Sequence, residues 1–258
     1  MSEPLIKLET AGGLARLTLN NPDAGNALDQ PMIEALDAAT AQLAAEPPRA
    51  VLITAEGKNF CVGGDIRAFH TATDRGALLR RMAGRLHDSV RRLAALNAPV
   101  VAAVQGAAAG AGLSLAAGAD MLIAARGAHF TMAYTGIGIS SDGGASYYLP
   151  RLIGLRRTQE LAYTNRRLPV EEALAWGLVC AVVEDDALAA EAKALATRLA
   201  AGPTLAYAAM KRLLAAEAGL DEQLDAELDN VSATAASRDA AEGVAAFLAR
   251  RQPDFTGS

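Results

Sequence analysis

The sequence predicts an α/β fold in which mostly parallel strands form a buried core. Short uncharged runs such as 50–54 and 100–104 have the length and composition of strands that are buried on both faces. Segments of helical periodicity or glycine-containing turns separate these runs, and that alternation is typical of a parallel sheet. The chain has 258 residues, of which 52% are hydrophobic. One large core is therefore expected.

The individual elements follow from periodicity and turn residues. Ala15, Leu17 and Leu19 alternate with polar neighbours and predict a first strand, which a turn at 20–23 ends. Further strands are predicted at 50–54, 100–104, 119–125, 130–134 and 178–183. Helices are predicted at 31–45, from Leu79 to just before Pro99, after the small-residue turn 106–112, and at 188–199, 204–216 and 240–250.

Strand signals become sparse after Pro150, and the chain from about Pro203 has an all-helical pattern. We therefore predict two parts, an α/β core over residues 1–202 and a C-terminal helical region over residues 203–258.

Composition excludes several classes of protein. The net charge of −5 argues against a broad surface for nucleic acid. Cys61 and Cys180 are too few for a disulfide framework, and residues 1–10 lack the pattern of a signal peptide, so a cytoplasmic setting is expected. Segment 98–119 is uncharged, but Pro99 and four glycines interrupt it. A buried α/β segment is therefore favoured over a membrane span.

Three widely spaced motifs carry the functional signal. They are Asn20-Asn21-Pro22 with Asn26-Ala27-Leu28, the loop Phe60-Cys61-Val62-Gly63-Gly64-Asp65-Ile66, and Pro99-Val100 followed by Gly106 and Gly110-Ala111-Gly112. Together they resemble the crotonase, or enoyl-CoA hydratase/isomerase, superfamily. Further matches lie at 143–144, 149–151, 171–173, 176–179 and 247–255. The resemblance thus covers nearly the whole chain.

The resemblance implies a repeated ββα spiral followed by a helical trimerisation region, in a homotrimer or a dimer of trimers. It also implies that the backbone N–H groups of Gly64 and Ala111 form an oxyanion hole, which holds the thioester oxygen more tightly as negative charge develops. Taken singly, these glycine loops also fit an ordinary turn or a close helix contact. A dinucleotide loop is disfavoured because the third small residue of that fingerprint is missing after Gly112.

An acyl-CoA substrate is implied by the same resemblance, with coenzyme A entering as part of the substrate, no separate cofactor and no metal. Arg250 or Arg251 matches a basic position that reaches the CoA phosphates, although a solvated helix end fits the same two residues. The adenine is expected against the backbone near Ala24 and near Val62, Gly64, Asp65 and Ile66.

Hydratases of this superfamily hold a water between two glutamates, and neither glutamate is present here. Ser114 and Tyr134 occupy those positions, and neither is a suitable carboxylate base, so simple hydration is disfavoured. The remaining carboxylate is Asp142, which matches the aspartate of certain isomerases in the superfamily. The alternative for Asp142 is the N-cap of a helix that begins near Gly143.

His87 offers a second chemistry, since it falls near the apolar stripe of the helix that begins at Leu79. His87 and Asp142 match the base and the nucleophile of 4-chlorobenzoyl-CoA dehalogenases. Glycine at position 64, where those enzymes have an aromatic residue, leaves the ring pocket less enclosed. A packed or surface histidine is the structural alternative.

The C-terminal segment 242–257 instead resembles isomerases of phenylacetyl-CoA pathways. We therefore expect an isomerase in which Asp142 moves a proton between C2 and C4, while Ser114 and Tyr134 shape the pocket. Hydration, dehalogenation and a CoA-binding or scaffold protein without turnover remain as alternatives.

Overall fold

The computed structural model describes residues 3–258. Its strands are β1 Ile6–Ala11, β2 Leu14–Leu19, β3 Ala50–Ala55, β4 Val100–Val104, β5 Ala107–Ala109, β6 Met121–Ala125, β7 His129–Thr131, β8 Leu168–Pro169 and β9 Ala181–Val183. Six of them form a sheet in the order β1-β2-β3-β4-β6-β9, in which β1 and β2 are antiparallel and every other pair is parallel. The strands β5, β7 and β8 form a second, smaller sheet.

Helices flank the large sheet on both faces. The helices of the described residues are α1 Gln30–Ala45, α2 Ile66–Thr71, α3 Arg75–Ala95, α4 Ala111–Ala117, α5 Ala145–Ile153, α6 Leu155–Thr164, α7 Val170–Trp176, α8 Leu188–Ala200, α9 Thr204–Ala215, α10 Leu220–Ala235 and α11 Arg238–Ala249. On β3, Val51 and Ile53 pack into the core beside α1 and α3, whereas Leu52 packs toward α8. The central strands are therefore buried on both faces, as their uncharged sequences predict.

The C-terminal helices are held to the core by a few polar contacts. Arg49 donates to the carbonyl oxygens of Gly202 and Phe255 at 2.8 and 2.9 Å, and Lys211 donates to that of Leu93 at 3.0 Å. Large apolar side chains remain on their surface, with Phe247 82% exposed. None of the helices within residues 3–258 has the length and apolarity that crossing a membrane requires.

Several boundaries differ from the expectations. The structure adds the strands β1, β5 and β8 and the helices α2, α6, α7 and α10, and α10 contains no buried residue that would produce an apolar stripe. The predicted strand 130–134 is wrong at its end, because β7 stops at Thr131 and Ala133 takes a left-handed conformation with φ 63°. The predicted strand 178–183 shortens to β9. The helix predicted from Leu79 begins at Arg75, where Asp74 caps it.

Candidate active site

Two backbone segments pair to form the centre of the site. The Cys61 N–H donates to the Ala107 carbonyl at 3.0 Å, and the Ala109 N–H donates to the Cys61 carbonyl at 2.9 Å. These bonds form a parallel bridge between Cys61 and Ala108. Gly64 follows the first segment and Ala111 follows the second, and both residues line the same cavity. The pairing therefore brings together the two residues that the motifs predict as oxyanion donors.

Glycines make this close approach possible. Gly63 has φ 98°, and a Cβ atom there would lie 2.8 Å from the Ala109 carbonyl oxygen. A Cβ atom on Gly112 would overlap the Cys61 carbonyl oxygen. Larger residues at these two positions would force the segments apart. The glycines thus fix the separation of the two loops.

The N–H groups of Gly64 and Ala111 are free to bind a ligand. Across residues 3–258, neither N–H is paired with a backbone carbonyl. Ala111 is the first residue of α4, where an N–H has no partner inside the helix and carries the positive end of the helix dipole. Gly64 has open space where a side chain would stand. Both residues line one cavity.

This cavity has a volume of about 210 Å³ and mainly apolar walls. Its ionisable residues are Asp65, Tyr134 and Asp142. Asp65 is engaged elsewhere, because its side chain caps α2 by accepting from the Arg67 N–H at 2.9 Å. Asp142 is the carboxylate that remains for chemistry. The apolar walls are formed by Val62, Ile66, Phe69, Leu78, Leu79, Met82, Ala133, Ile137 and Ile139.

Two hydroxyl groups hold Asp142 in place. The Tyr134 hydroxyl donates to Asp142 Oδ1 at 2.6 Å, and Ser114 Oγ lies 2.9 Å from the Tyr134 oxygen and 2.9 Å from the Asp142 carbonyl oxygen. The alternative reading of Asp142 as a helix N-cap is wrong: Gly144 is the N-cap of α5, and its left-handed φ of 93° follows that of Gly143. The Asp142 side chain is therefore available to the cavity.

Burial and the neighbouring charge of Asp142 raise the pKa of Tyr134 well above its usual range. A raised pKa favours the protonated hydroxyl, so Tyr134 remains a hydrogen-bond donor around neutral pH. Ser114 is completely buried beside it. The two residues that replace the glutamates of hydratases thus act as neutral hydrogen-bonding groups around Asp142. Tyr134 lines the pocket, as the sequence predicts, whereas Ser114 is buried behind it and does not line the cavity.

His87 lies on α3, half-buried, and reaches the loop that carries Asp142. Its Nε2 accepts a hydrogen bond from the Gly143 N–H at 3.1 Å. A nitrogen that accepts this bond is not available to activate a water. The structure therefore brings His87 next to Asp142, in a position that anchors the loop to α3.

A groove of about 620 Å³ adjoins the cavity and is the candidate site for coenzyme A. Ala24 lines it together with four residues of the first glycine loop, namely Val62, Gly64, Asp65 and Ile66, all of which also line the cavity. Arg67 lines the groove as well, a basic residue that the motifs do not single out. Because Arg67 directly follows the loop motif, its place in the sequence could have indicated that it lines this groove.

The two C-terminal arginines are placed differently from the other predicted contacts. Arg251 forms a two-pronged ion pair with Glu242, at 2.5 and 2.8 Å, and this hydrogen bonding lowers the pKa of Glu242 to about 2. Arg250 ends α11 in a left-handed conformation. Neither arginine lines the cavity or the groove of this chain. Their contact with CoA phosphates stays a prediction.

Cys61, next to the oxyanion loop, is a structural thiol. It is completely buried, and desolvation raises its pKa to about 12. A thiol with such a pKa is protonated at neutral pH and is a poor nucleophile. Cys61 therefore packs in the core and takes no part in the chemistry of the site.

Comparisons with known proteins agree with this geometry. The family model described as enoyl-CoA hydratase/isomerase matches residues 9–258. The 1,2-epoxyphenylacetyl-CoA isomerase of Escherichia coli strain K12 is 40% identical, over 95% of each chain, and a 4-chlorobenzoyl coenzyme A dehalogenase of Arthrobacter sp. is 30% identical, over 96% of this chain and 92% of the relative. The solved enoyl-CoA hydratase of Mycobacterium smegmatis superposes with a TM-score of 0.91 at 32% identity, covering 98% of this chain and 99% of that one.

Proposed function

The chain belongs to the enoyl-CoA hydratase/isomerase family, and we propose that within this family it is an isomerase of acyl-CoA thioesters that uses Asp142 to move a proton. One observation carries the proposal. An apolar cavity is lined by two backbone N–H groups that have no hydrogen-bond partner within residues 3–258 and by one carboxylate, Asp142, that does not cap a helix. This set of groups matches the needs of a reaction that forms an enolate and returns the same proton.

The proposed reaction follows from these roles. The N–H groups of Gly64 and Ala111 bind the thioester oxygen and polarise the carbonyl. Asp142 takes a proton from C2 of a 3-enoyl thioester, and the electron pair moves into an enolate whose oxygen these N–H groups stabilise. Protonation at C4 by the same carboxyl group moves the double bond to C2–C3. No water is consumed.

Two observations favour isomerisation over hydration and dehalogenation. Hydration in this family uses two carboxylates on one water, whereas Ser114 and Tyr134 are hydroxyl groups that bind Asp142. Dehalogenation would require a histidine that activates water, whereas Nε2 of His87 accepts from Gly143. The E. coli relative, which is an isomerase by name, gives independent support and adds a ring epoxide to the substrates worth testing.

The wider setting is part of the same proposal. Coenzyme A enters as the carrier of the substrate, with its adenine near Ala24 and the first glycine loop, and with Arg250 or Arg251 toward its phosphates. The exposed apolar residues of α9 to α11, which include Leu214 at 80% and Phe247 at 82%, support self-association as a trimer or a dimer of trimers. The proposed compartment is the cytoplasm.

Replacement of Asp142 by Asn tests the assignment. We expect the D142N variant to lose isomerisation of cis-3-enoyl-CoA while it still binds the ester, because Asn keeps the shape of the side chain but cannot accept the proton. The control is D74N, which replaces the N-cap of α3 with an equally good cap outside the cavity. The D74N variant should keep full activity.

A panel of thioesters separates the alternatives. The panel contains cis-3-enoyl, trans-2-enoyl, ring-epoxide phenylacetyl and 4-chlorobenzoyl esters of CoA, with products identified by mass spectrometry. Isomers from the first or third ester support the proposal. Dominant formation of 3-hydroxyacyl-CoA or of 4-hydroxybenzoyl-CoA would overturn it, and binding without any turnover would favour a scaffold protein.

A further inference from the structure

A second opening reaches Asp142 beside the acyl cavity. This crevice has a volume of about 650 Å³ and shares Leu79, Ile139 and Asp142 with the cavity. Gly64 and Ala111 line the cavity but not the crevice. A thioester held by those two donors would therefore place its reacting carbons near Asp142 and direct the rest of its acyl group toward the crevice.

Hydrogen-bond donors dominate the polar lining of the crevice. Arg80 lies on its wall, and within residues 3–258 its guanidinium is paired with no carboxylate, although Arg85 and Arg91 on the same helix are. His87 also lines the crevice, and because its Nε2 accepts from Gly143, a neutral ring carries its hydrogen on Nδ1. Ser140 and Ser141 add two hydroxyl groups.

Asp142 is the one carboxylate in the lining of the crevice. Asp142 Oδ1 accepts from the Tyr134 hydroxyl. The surrounding segment is also strongly basic in an acidic chain. Residues 66–95 contain seven arginines and two aspartates, which gives 7 − 2 = +5, against −5 for the whole chain. The crevice therefore presents a set of donors, in a positive local field, to a group that can only accept hydrogen bonds.

We propose that this crevice binds the end of the acyl group that lies farthest from the thioester, and that Arg80 selects a carboxylate there. The inference rests on the proposed function, since it takes the thioester at Gly64 and Ala111 as its starting point. It adds a substrate class, namely CoA thioesters of dicarboxylic acids. The acyl chain must be long enough to keep the distal carboxylate away from Asp142, because like charges repel.

Affinity for unreactive esters tests the proposal without turnover. The probes are pairs of saturated thioesters with equal numbers of acyl carbons, hexanoyl-CoA with adipoyl-CoA and decanoyl-CoA with sebacoyl-CoA, measured by titration calorimetry. We expect the carboxylated member of at least one pair to bind about five-fold more tightly, the upper range for a solvent-accessible ion pair. In the R80Q variant the two members should bind equally.

The neighbouring arginine provides the control. Arg81 is exposed on the same helix but lines neither the cavity nor the crevice. The R81Q variant should keep the preference for the carboxylated ester. Equal binding of both members of each pair by the unmodified protein, or the same loss in R81Q as in R80Q, would overturn the proposal. If the neutral esters bind and isomerise while no carboxylate preference exists, the proposed function stands and this inference alone fails.

Discussion

Removal of a single oxygen, in the Tyr134→Phe variant, tests whether Tyr134 positions Asp142 or performs the chemistry itself. The hydroxyl donates to Asp142 Oδ1 at 2.6 Å and is buried, with Tyr134 only 7% exposed. This hydrogen bond fixes the orientation of the carboxylate that takes the proton from the substrate. Phenylalanine keeps the ring in the wall and removes only the donor.

The expected magnitude follows from the strength of such bonds. A hydrogen bond to a charged group contributes roughly 1.5–3 kcal/mol. Asp142 also contacts the open crevice, where water partly replaces the lost donor, so about 1.5 kcal/mol is the better figure. Since about 1.4 kcal/mol corresponds to a factor of ten in rate, kcat/KM should fall about ten-fold.

The assay is kcat/KM for an enoyl-CoA isomerisation at neutral pH, with ester binding measured separately. In the Y134F variant, kcat/KM should fall about ten-fold, while a measurable rate and ester binding remain. The matched control is Y148F, because Tyr148 packs against Gly144 and has no hydrogen bond to Asp142. A kcat/KM equal to that of the unmodified protein would refute the positioning role. Complete loss of activity, with binding retained, would instead make Tyr134 the acid or base.

Two further predictions concern the oxyanion loops. In the Ala111→Pro variant, kcat should fall by about 10²- to 10³-fold with little loss of ester binding, because proline fits the first position of a helix but lacks the N–H donor; an unchanged kcat would exclude Ala111 from the hole. In the folded protein at pH 8, a thiol reagent should modify Cys180, which is exposed, and leave Cys61 unmodified until denaturant is added. The raised pKa of about 12 keeps Cys61 protonated at pH 8, and rapid modification of both thiols would contradict its burial.

The fold was predictable wherever burial imposes a regular pattern. The runs 50–54 and 100–104 lie in β3 and β4, since a strand covered on both faces must be apolar at every position. The edge strand β1 was not predicted because only one of its six residues is buried. Helix α10 was not predicted for the same reason, since it has no buried residue. Hydrophobic periodicity reflects burial, so an element with few buried residues has no clear hydrophobic pattern in the sequence.

The site was predictable in its backbone part and only partly in its side chains. The family resemblance implies Gly64 and Ala111 as partners, and the structure places both on the wall of one cavity. Spacing does not show that Tyr134 reaches Asp142 eight residues later, because this depends on the left-handed turn at Ala133 and on the burial of Ser114. The role of His87 as an anchor for Gly143 likewise depends on tertiary packing of α3.

The pairing of the two loops has a consequence for how this scaffold tolerates change. The groups that activate the thioester belong to the main chain. Every amino-acid replacement at Gly64 or Ala111 except proline therefore keeps the backbone N–H donor. The proton-moving group belongs to a side chain on a separate loop, held by other side chains. Mutations can therefore exchange the reaction while the activation of the substrate persists. A protein with this arrangement can acquire a new reaction through single substitutions while it still binds the thioester carbonyl.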